Sequence, residues 1–453
     1  MLLCAEHIIP VTGDPIDDGA VLVRGDEIVE IGGAQRMKAH YPDEEVRDFG
    51  QAAIMPGFVD CHTHLEYTAL RGIVHDVPYA EWLYHEHAKA NLMSHDDRYD
   101  SALLGGLEML SGGVTTVADF TSTGASLEAA RELGLRAKAY RSVGATDKAS
   151  VKPAVEAAVR DALRWREESD PARYTIGIAP KALHACNPAI FGEVNAAAER
   201  YGFPVAMHVA GSYEEYKYIK NGSMPLSVRE ANAGADTLAD RPMWLPTGVT
   251  PVNYALNWRA FSSPDVLAAH CVHVDEDDIA HLRKYDVAIA VNTRCNAQLG
   301  MGLAPLQKFL KAGIRVGLGT DSPAATDSAD MFIEMRLGML IHRAVDRTVF
   351  ISAKTMLELA TIGGARALRM DDRIGSLEPG KRADIIAIDL SGSRQTPLVD
   401  PVTAVVEGAA AADVLFTMVE GEVLYERGGT FRSGIDPVEA AHRGAQIRGK
   451  LRD

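Results

Sequence analysis

Four histidines and one aspartate stand at the ends of strand-like segments and could together bind a metal ion. His62 and His64 close one such segment, and residues i and i+2 of a strand share a face, so both imidazoles can point at the same spot. His208, His270 and Asp321 end three others. Neutral imidazoles with a carboxylate and no thiolate suit Zn²⁺, Fe²⁺ or Co²⁺ and leave a position open for water. The set predicts a catalytic metal.

This donor set indicates hydrolytic chemistry. A divalent metal lowers the pKa of bound water toward neutrality and polarises the electrophile. A carboxylate beside it, here Asp321, can move protons between nucleophile and leaving group. Any one histidine alone is as well explained by a core or surface role, but five metal-competent side chains at four strand ends are not. Five other histidines lie in helical or loop stretches and are expected on solvated surfaces: His75, His85, His87, His95 and His342.

The elements that must position these residues alternate between apolar strand-like runs and helical stretches. Eight such runs over about 310 residues predict a (β/α)₈ barrel, whose active sites lie at the carboxyl ends of the strands. The longest excursion, residues 210–264, follows the fifth strand and is expected to be functional. The predicted strands are 54–64, 114–120, 135–142, 174–181, 204–209, 265–271, 286–292 and 315–321.

Both ends of the chain are rich in strand and turn signals. Residues 19–33 alternate apolar and polar side chains around Gly25-Asp26, which predicts a hairpin. Similar runs return after residue 370. We therefore predict a composite β-sandwich from residues 1–55 and 371–430, a hydrolase barrel over 56–370, and a C-terminal helical extension over 431–453.

Composition narrows the choice of partners. The 453 residues include 46 Lys and Arg against 62 Asp and Glu, a net charge of −16, which argues against nucleic acid and anionic membranes. No run of about 18 apolar residues and no signal peptide is recognisable, so a soluble, cytoplasmic protein with a small-molecule substrate is expected. The five cysteines are scattered and odd in number, and they indicate neither disulfides nor a thiolate site.

Several sequence blocks resemble those of the amidohydrolase superfamily. The similarity is greatest to its aminohydrolase group, which contains S-adenosylhomocysteine, methylthioadenosine and aminodeoxyfutalosine deaminases. The blocks are PGFVDCHTHLEYTALRG, GGVTTVADF, MHVAGSYEEYKYIKNGSMPL, AHCVHV, NAQLGMGLAPL, GLGTDSPAATDSADMFIEMRL and GSLEPGKRADIIAIDL.

The resemblance implies roles for the five donors. His62, His64, His208 and Asp321 would bind the metal, His270 would hold or orient the attacking water, and Asp321 would accept its proton. It implies a homo-oligomeric hydrolase in which metal hydroxide attacks a non-peptide C–N bond of a small cyclic molecule, as in purine-type deamination.

Two departures from the family pattern open alternatives. Deaminases of this group carry a glutamate where this chain has Gly211, and losing that proton donor costs about 10²- to 10⁴-fold in rate. Lys181 ends strand four, where binuclear relatives have a carboxylated lysine that bridges two metals, with His270 on the second. A binuclear amide, urea or lactam hydrolase is thus one alternative, and Lys181 as a substrate-contacting cation or ion pair is another. A non-catalytic, metal-stabilised ligand-binding protein is a third.

Three further residues are candidates for contact with the substrate. His184 lies just after Lys181 in the altered strand-four block. Trp82 could line an aromatic pocket or belong to the core. Arg294, after strand seven, could clamp an anion or form an ion pair.

Overall fold

The fold is described by a computed structural model, which covers residues 1–222, 246–346, 350–397, 400–428 and 430–451. Its centre is a sheet of eight parallel strands whose neighbours follow chain order. These barrel strands are β6 (Phe58–Thr63), β7 (Val114–Thr121), β8 (Arg136–Val143), β9 (Tyr174–Pro180), β10 (Val205–Val209), β11 (Val266–His270), β12 (Ala288–Val291) and β13 (Val316–Leu318).

The sheet closes on itself, so the predicted barrel is confirmed. The backbone N–H of Asp321 donates to the carbonyl of His62 at 2.8 Å, which joins the last strand to the first. The first barrel strand begins at Phe58 and not at residue 54, since Ala52–Pro56 belongs to the second sheet. Gly57 separates them, and a Cβ there would lie 2.1 Å from the Thr115 side chain. Only glycine permits this close crossing.

The second sheet joins both ends of the chain, as predicted. Its strands are β1 (Leu2–Ile8), β2 (Ile16–Arg24), β3 (Glu27–Gly33), β4 (Val46–Asp48), β5 (Ala52–Pro56), β14 (Ile385–Asp389), β15 (Val414–Val419), β16 (Glu422–Glu426) and β17 (Thr430–Phe431). Their order in the sheet is β17-β16-β15-β14-β5-β1-β2-β3, with β4 paired to β1. This one continuous sheet curves over its own apolar core, and the backbone of Ile28 exchanges hydrogen bonds with Gly380 and Lys381.

Helices surround the barrel, and none within the described residues has the length and apolar character of a membrane span. The α-helices are Ala34–His40, Tyr79–Ala90, His95–Ser111, Ala125–Leu133, Lys148–Glu167, Ala189–Tyr201, Tyr213–Asn221, Pro251–Asn257, Glu276–Lys284, Thr293–Gln298, Leu306–Lys311, Pro323–Thr326, Met331–Val345, Ala353–Leu359, Ile362–Ala367, Pro401–Thr403 and Pro437–Lys450. Short 3₁₀ turns span Leu65–Leu70, Leu183–Ala185 and Ala411–Asp413, and a π-helical turn spans Ala404–Gly408.

The long excursion after the fifth strand is described only in part, because residues 223–245 lie outside the described residues. The helix Pro437–Lys450 occupies the predicted C-terminal extension. The domain boundaries at residues 55, 370 and 430 stay a prediction.

Candidate metal centre

Five donors from four barrel strands meet at the carboxyl-terminal mouth of the barrel. The Oδ1 atom of Asp321 lies 3.4 Å from Nε2 of His62 and 3.8 Å from Nε2 of His64. Nε2 of His64 is 3.3 Å from Nε2 of His208, and Nε2 of His270 is 3.6 Å from Oδ2 of Asp321. Two overlapping sets, each with its ligand atoms within 4.8 Å of one another, share His62. The structure therefore brings together the residues that strand spacing singled out.

The backbone turns sharply where two of these donors leave their strands. His270 has φ of 73° and Asp321 has φ of 63°, both in the left-handed region that disfavours side chains larger than glycine. Such residues cost of order 1–3 kcal/mol each and cluster at functional sites. The turns carry both side chains inward over the barrel axis.

The donor set fits a divalent metal. Both ring nitrogens of His62 are buried, and neither has a hydrogen-bond partner among the described residues, which is costly unless a ligand occupies them. Burial and the neighbouring histidines lower the pKa of His64 to about 3 and that of His208 well below its usual range. Burial alone would raise the pKa of Asp321, but the adjacent histidines hold it well below normal. Neutral imidazoles and an ionised carboxylate are the forms that bind metal.

A surrounding layer of hydrogen bonds orients the donors. The Oδ1 atom of Asn296 lies 2.9 Å from Nδ1 of His270. The buried carboxylate of Asp60 accepts from the hydroxyl of Thr320 at 2.6 Å and from the N–H of His62 at 3.2 Å, which ties the first strand to the last. Such outer contacts fix ring orientation and tune the metal.

Strand alternation works as expected at the first strand. The hydroxyl of Thr63 points away from the centre and donates to Asp119 at 2.7 Å, while Cys61 packs against Gly364. His62 and His64 thus share the inner face, as their spacing predicted.

Lys181 lies at the mouth but not within the centre. Its side chain is exposed, whereas the five donors are buried or half-buried. The largest charge effects on the pKa values of His208 and Asp321 come from other members of the centre. The position of Lys181 gives no support to a carbamate bridge between two metals.

The other three candidate residues take different places around the mouth. Trp82 is buried in an apolar cluster, and its indole N–H donates to the carbonyl of Ala324 at 3.4 Å. His184 is buried, its Nδ1 has no partner in the described part of the chain, and burial lowers its pKa to about 4. The Arg294 guanidinium donates to Ser328 and lies 3.9 Å from Glu334, so an internal ion pair already engages it.

Position 211 faces the centre directly. A Cβ on Gly211 would lie 3.4 Å from the ring of His270 and 3.2 Å from Cε of Met301. The N–H of Gly211 donates to Glu215 at 2.9 Å, and that of Ala210 donates to the same carboxylate at 3.2 Å. Any side chain at 211 would therefore project into the pocket, and glycine leaves that place without a carboxyl.

The residues that sequence reasoning missed line the centre with aromatic rings. Phe120 lies 4.6 Å from the ring of His62 and 5.1 Å from that of His208, centroid to centroid. The ring of Tyr67 stacks on that of His64 at 5.9 Å. Phe120 ends a predicted strand, a signal that could have found it, whereas Tyr67 depends on how a 3₁₀ turn docks.

One expected surface histidine is buried. His342 has no exposed surface, and its ring nitrogens have no hydrogen-bond partner among the described residues. The prediction of a solvated side chain is wrong for this residue, because the helix Met331–Val345 turns it against the barrel. His75, His85 and His95 are exposed, and His87 is half-buried.

A (β/α)₈ barrel with imidazole and carboxylate donors at its mouth defines a metal-dependent enzyme class. A family model described as "Amidohydrolase family" matches residues 53–424. The chain belongs to the amidohydrolase family. It is 34% identical over 431 residues to a 5-methylthioadenosine/S-adenosylhomocysteine deaminase of Desulforudis audaxviator, with 94% of this chain and 93% of that protein covered.

Solved structures show the same architecture. An adenosine deaminase from Xanthomonas campestris with bound zinc superposes with a TM-score of 0.84 at 25% identity, covering 100% of this chain and 98% of that chain. The atrazine chlorohydrolase TrzN from Arthrobacter aurescens, complexed with zinc, has a TM-score of 0.82 at 24% identity, covering 98% of this chain and 99% of the other. The second likeness is one of fold alone.

Proposed function

We propose that this protein is a zinc-dependent hydrolase that deaminates an amino-substituted nitrogen heterocycle, with a purine nucleoside as the leading substrate class. The observation that carries the proposal is the convergence of His62, His64, His208, His270 and Asp321 at the barrel mouth. The deaminases among the relatives support the reaction class, and the zinc bound to the adenosine deaminase from Xanthomonas campestris supports the metal.

The residues of the centre divide the chemical work. His62, His64, His208 and Asp321 would hold the metal, which when bound acidifies water and polarises the carbon under attack. His270 is held by Asn296 at 2.9 Å and presents Nε2 toward Asp321, so that it orients the attacking water. Asp321 accepts a water proton on a carboxylate oxygen and later delivers it to the departing amine.

The walls favour an apolar, planar substrate. Phe120 and Tyr67 place ring faces and edges beside the histidines, and a flat heterocycle gains from contact with such rings. Closing a pocket of this kind against bulk water strengthens every charge interaction inside it. This mechanism needs a single metal. A second metal bridged by Lys181 is not part of the proposal, because the Lys181 side chain is exposed and lies outside the centre.

Metal analysis and turnover together test the proposal. Pure protein should contain about one zinc per chain and should release ammonia from adenosine, 5′-methylthioadenosine, S-adenosylhomocysteine or guanine, with loss of activity on chelation and recovery on adding zinc. Two metals per chain that fall to one in Lys181→Ala would instead indicate a binuclear hydrolase. Tight ligand binding without turnover would indicate the ligand-binding protein.

The cellular setting belongs to the same proposal. A cytoplasmic homo-oligomer is what the composition and the family resemblance predict. Sedimentation of the purified chain would measure the assembly state.

A further inference from the structure

A buried carboxyl group at the barrel mouth has no hydrogen-bond partner within the described residues. Glu86 is 4% exposed, and its Oε1 atom is both buried and unpaired. Nε2 of His87 lies 3.7 Å from Oε2, but burial lowers the pKa of His87 to about 4, so this imidazole brings no positive charge to Glu86 at neutral pH. Native proteins rarely leave a buried carboxyl unsatisfied unless a ligand or water completes it.

Glu86 points from a helix onto the mouth. It lies four residues after Trp82 in the helix Tyr79–Ala90, so the two side chains share a face. That face is the buried one, and the Trp82 indole bonds to Ala324 just beyond the end of the last barrel strand. Glu86 is therefore buried on the side of the helix that packs against the segment following the last barrel strand.

The helix that carries Glu86 is fastened to the loops at the carboxyl end of the barrel, because the N–H of Tyr79 donates to the carbonyl of Leu299 at 3.0 Å and Trp82 donates to that of Ala324. Burial raises the pKa of Glu86 to about 7, against the effects of Arg98 and Lys181, and the charge of Asp321 raises it further. Glu86 in turn helps to raise the pKa of Tyr67 to about 12, mainly an effect of burial, and the Tyr67 ring stacks on His64. The ionisable groups coupled electrostatically to Glu86 are thus Tyr67, Arg98, Lys181 and Asp321 from four other elements, and His87 on its own helix lies 3.7 Å away.

Other buried carboxyls at the mouth already accept hydrogen bonds from the protein. Glu215 accepts from the N–H groups of Ala210 and Gly211. Three more accept from hydroxyl and backbone donors of the strand ends, and they are Asp60, Asp119 and Glu66. Glu334 accepts from the N–H of Arg294 at 3.2 Å, and its Oε2, which has no hydrogen bond within the described residues, lies 3.9 Å from the guanidinium of the same arginine. Arg98 contacts Glu66 and the carbonyl of Ala90, so it does not satisfy Glu86.

We infer that Glu86 contacts the substrate and donates the proton to the ring nitrogen that Gly211 cannot supply. This inference rests on the proposed deamination. Water oxygen bonds to the carbon that bears the amino group, one water proton passes to Asp321, and the C=N electron pair moves to the ring nitrogen, which takes the proton of Glu86. The hydroxyl proton then returns to Glu86, Asp321 protonates the amino group, the C–N bond breaks, and ammonia leaves a new carbonyl group.

The variant Glu86→Gln in the zinc-loaded enzyme tests this role, because it keeps the volume and removes the acid. We expect kcat/KM for 5′-methylthioadenosine to fall by about 10²-fold, mostly in kcat, with unchanged zinc content. The alkaline limb of the kcat/KM profile, where Glu86 loses its proton, should disappear. Glu81→Gln is the matched control, since Glu81 is exposed on the same helix, and it should behave like wild type.

Infrared difference spectra give a readout that does not need turnover. Wild type minus Glu86→Gln at pH 6 should show a carboxylic-acid C=O band that shifts when inosine is added, and the band should persist in Glu81→Gln. Retained activity with the alkaline limb intact in Glu86→Gln, or a band that inosine leaves unmoved, would overturn the inference. A wild-type enzyme that releases no ammonia from any substrate would overturn the proposed function instead. In that case the response of the infrared band to inosine would still show whether Glu86 contacts a ligand.

Discussion

The two ends of the barrel bury ionisable side chains to a similar degree but satisfy them differently. At the amino-terminal end, Arg136 donates to both oxygens of Asp384 at 2.8 and 3.0 Å, and to Glu420 at 3.0 Å. Lys138 donates to Asp265 at 2.8 Å and to a backbone carbonyl. At the carboxyl-terminal end, His62 and Glu86 have buried polar atoms without partners in the described part of the chain.

This difference separates stability from function. Burial alone would lower the pKa of Arg136, but Asp384 and Glu420 hold it above its ordinary value, and the closed network fastens the barrel to the composite sheet. Open donors at the mouth leave capacity for a metal and a substrate. Catalytic residues of such barrels gather at the carboxyl ends of the strands, and structural ones at the opposite end.

The largest expected effect is on activity at the mouth. Asp321→Asn removes the proposed metal ligand and proton acceptor, so kcat/KM should fall by about 10⁴-fold, the upper end for proton-transfer groups. Ammonia release and zinc content measure it. Asp327→Asn, an exposed carboxylate after the same strand, is the control. Wild-type activity in Asp321→Asn would contradict the assignment.

The next effect is on stability at the opposite end. Arg136→Met leaves Asp384 buried without its partner, which should lower the free energy of unfolding by about 3–5 kcal/mol. KM should not change, because the site lies at the other end. Denaturant unfolding gives the measurement, with the exposed Arg164→Met, expected to cost under about 1 kcal/mol, as the comparison. Equal stability of the two variants would contradict the view that the buried ion pairs at the amino-terminal end of the barrel stabilise the fold.

His342 is a buried polar side chain away from the mouth. It tests whether a buried group without a hydrogen-bond partner among the described residues always has a functional role. Burial lowers the pKa of His342 to about 4, below its unfolded value. The unfolded state therefore binds the extra proton between about pH 4 and 6.5, and this destabilises the fold as pH falls through that window. His342→Leu should gain about 2 kcal/mol at pH 5 relative to pH 7.5, with unchanged activity.

Thermal unfolding against pH checks this expectation. The exposed His85→Leu should show no such pH-dependent gain. Loss of activity in His342→Leu, with its stability curve parallel to wild type, would instead link His342 to the site.

The smallest effect concerns the missing carboxyl at the mouth. In the Glu86→Gln background, Gly211→Glu should recover about tenfold in kcat, because a proton donor there can replace the lost one. The new Cβ would crowd only the flexible end of Met301, at 3.2 Å, and the ring of His270 at 3.4 Å. Gly211→Gln, which has the same shape without the acid, should not recover. Equal recovery by both would show that packing and not proton donation is at work.

Much of the fold was predictable because its signals are local. Eight buried strands between amphipathic helices indicate a barrel independently of the length and sequence of the loops. All eight predicted strands are present. Strand alternation placed His62 and His64 on one face and Thr63 on the other. The start of the first strand was misplaced because Ala52–Pro56 and Phe58–Thr63 are both apolar, and only the close contact of Gly57 with Thr115 separates them.

Site residues at the ends of strands could be predicted from the sequence. Those whose position depends on how helices and turns pack against the barrel could not. Arg294 and Glu334 are 40 residues apart, and their pairing depends on where the helix Met331–Val345 packs. No motif or spacing in the sequence marks Glu86, and its burial follows only from the way the helix Tyr79–Ala90 packs. Trp82, on the same face, turned out to anchor that packing.

By itself, the amino-acid sequence determined the donor types, the strands that carry them and the glycine at 211, since these follow from residue identity and a two-residue repeat. Only the tertiary structure decided which polar groups are left open. Whether a buried carboxyl or imidazole finds a partner depends on contacts between segments far apart in the chain. Asp384 accepts hydrogen bonds from Arg136, whereas Oε1 of Glu86 has no partner among the described residues.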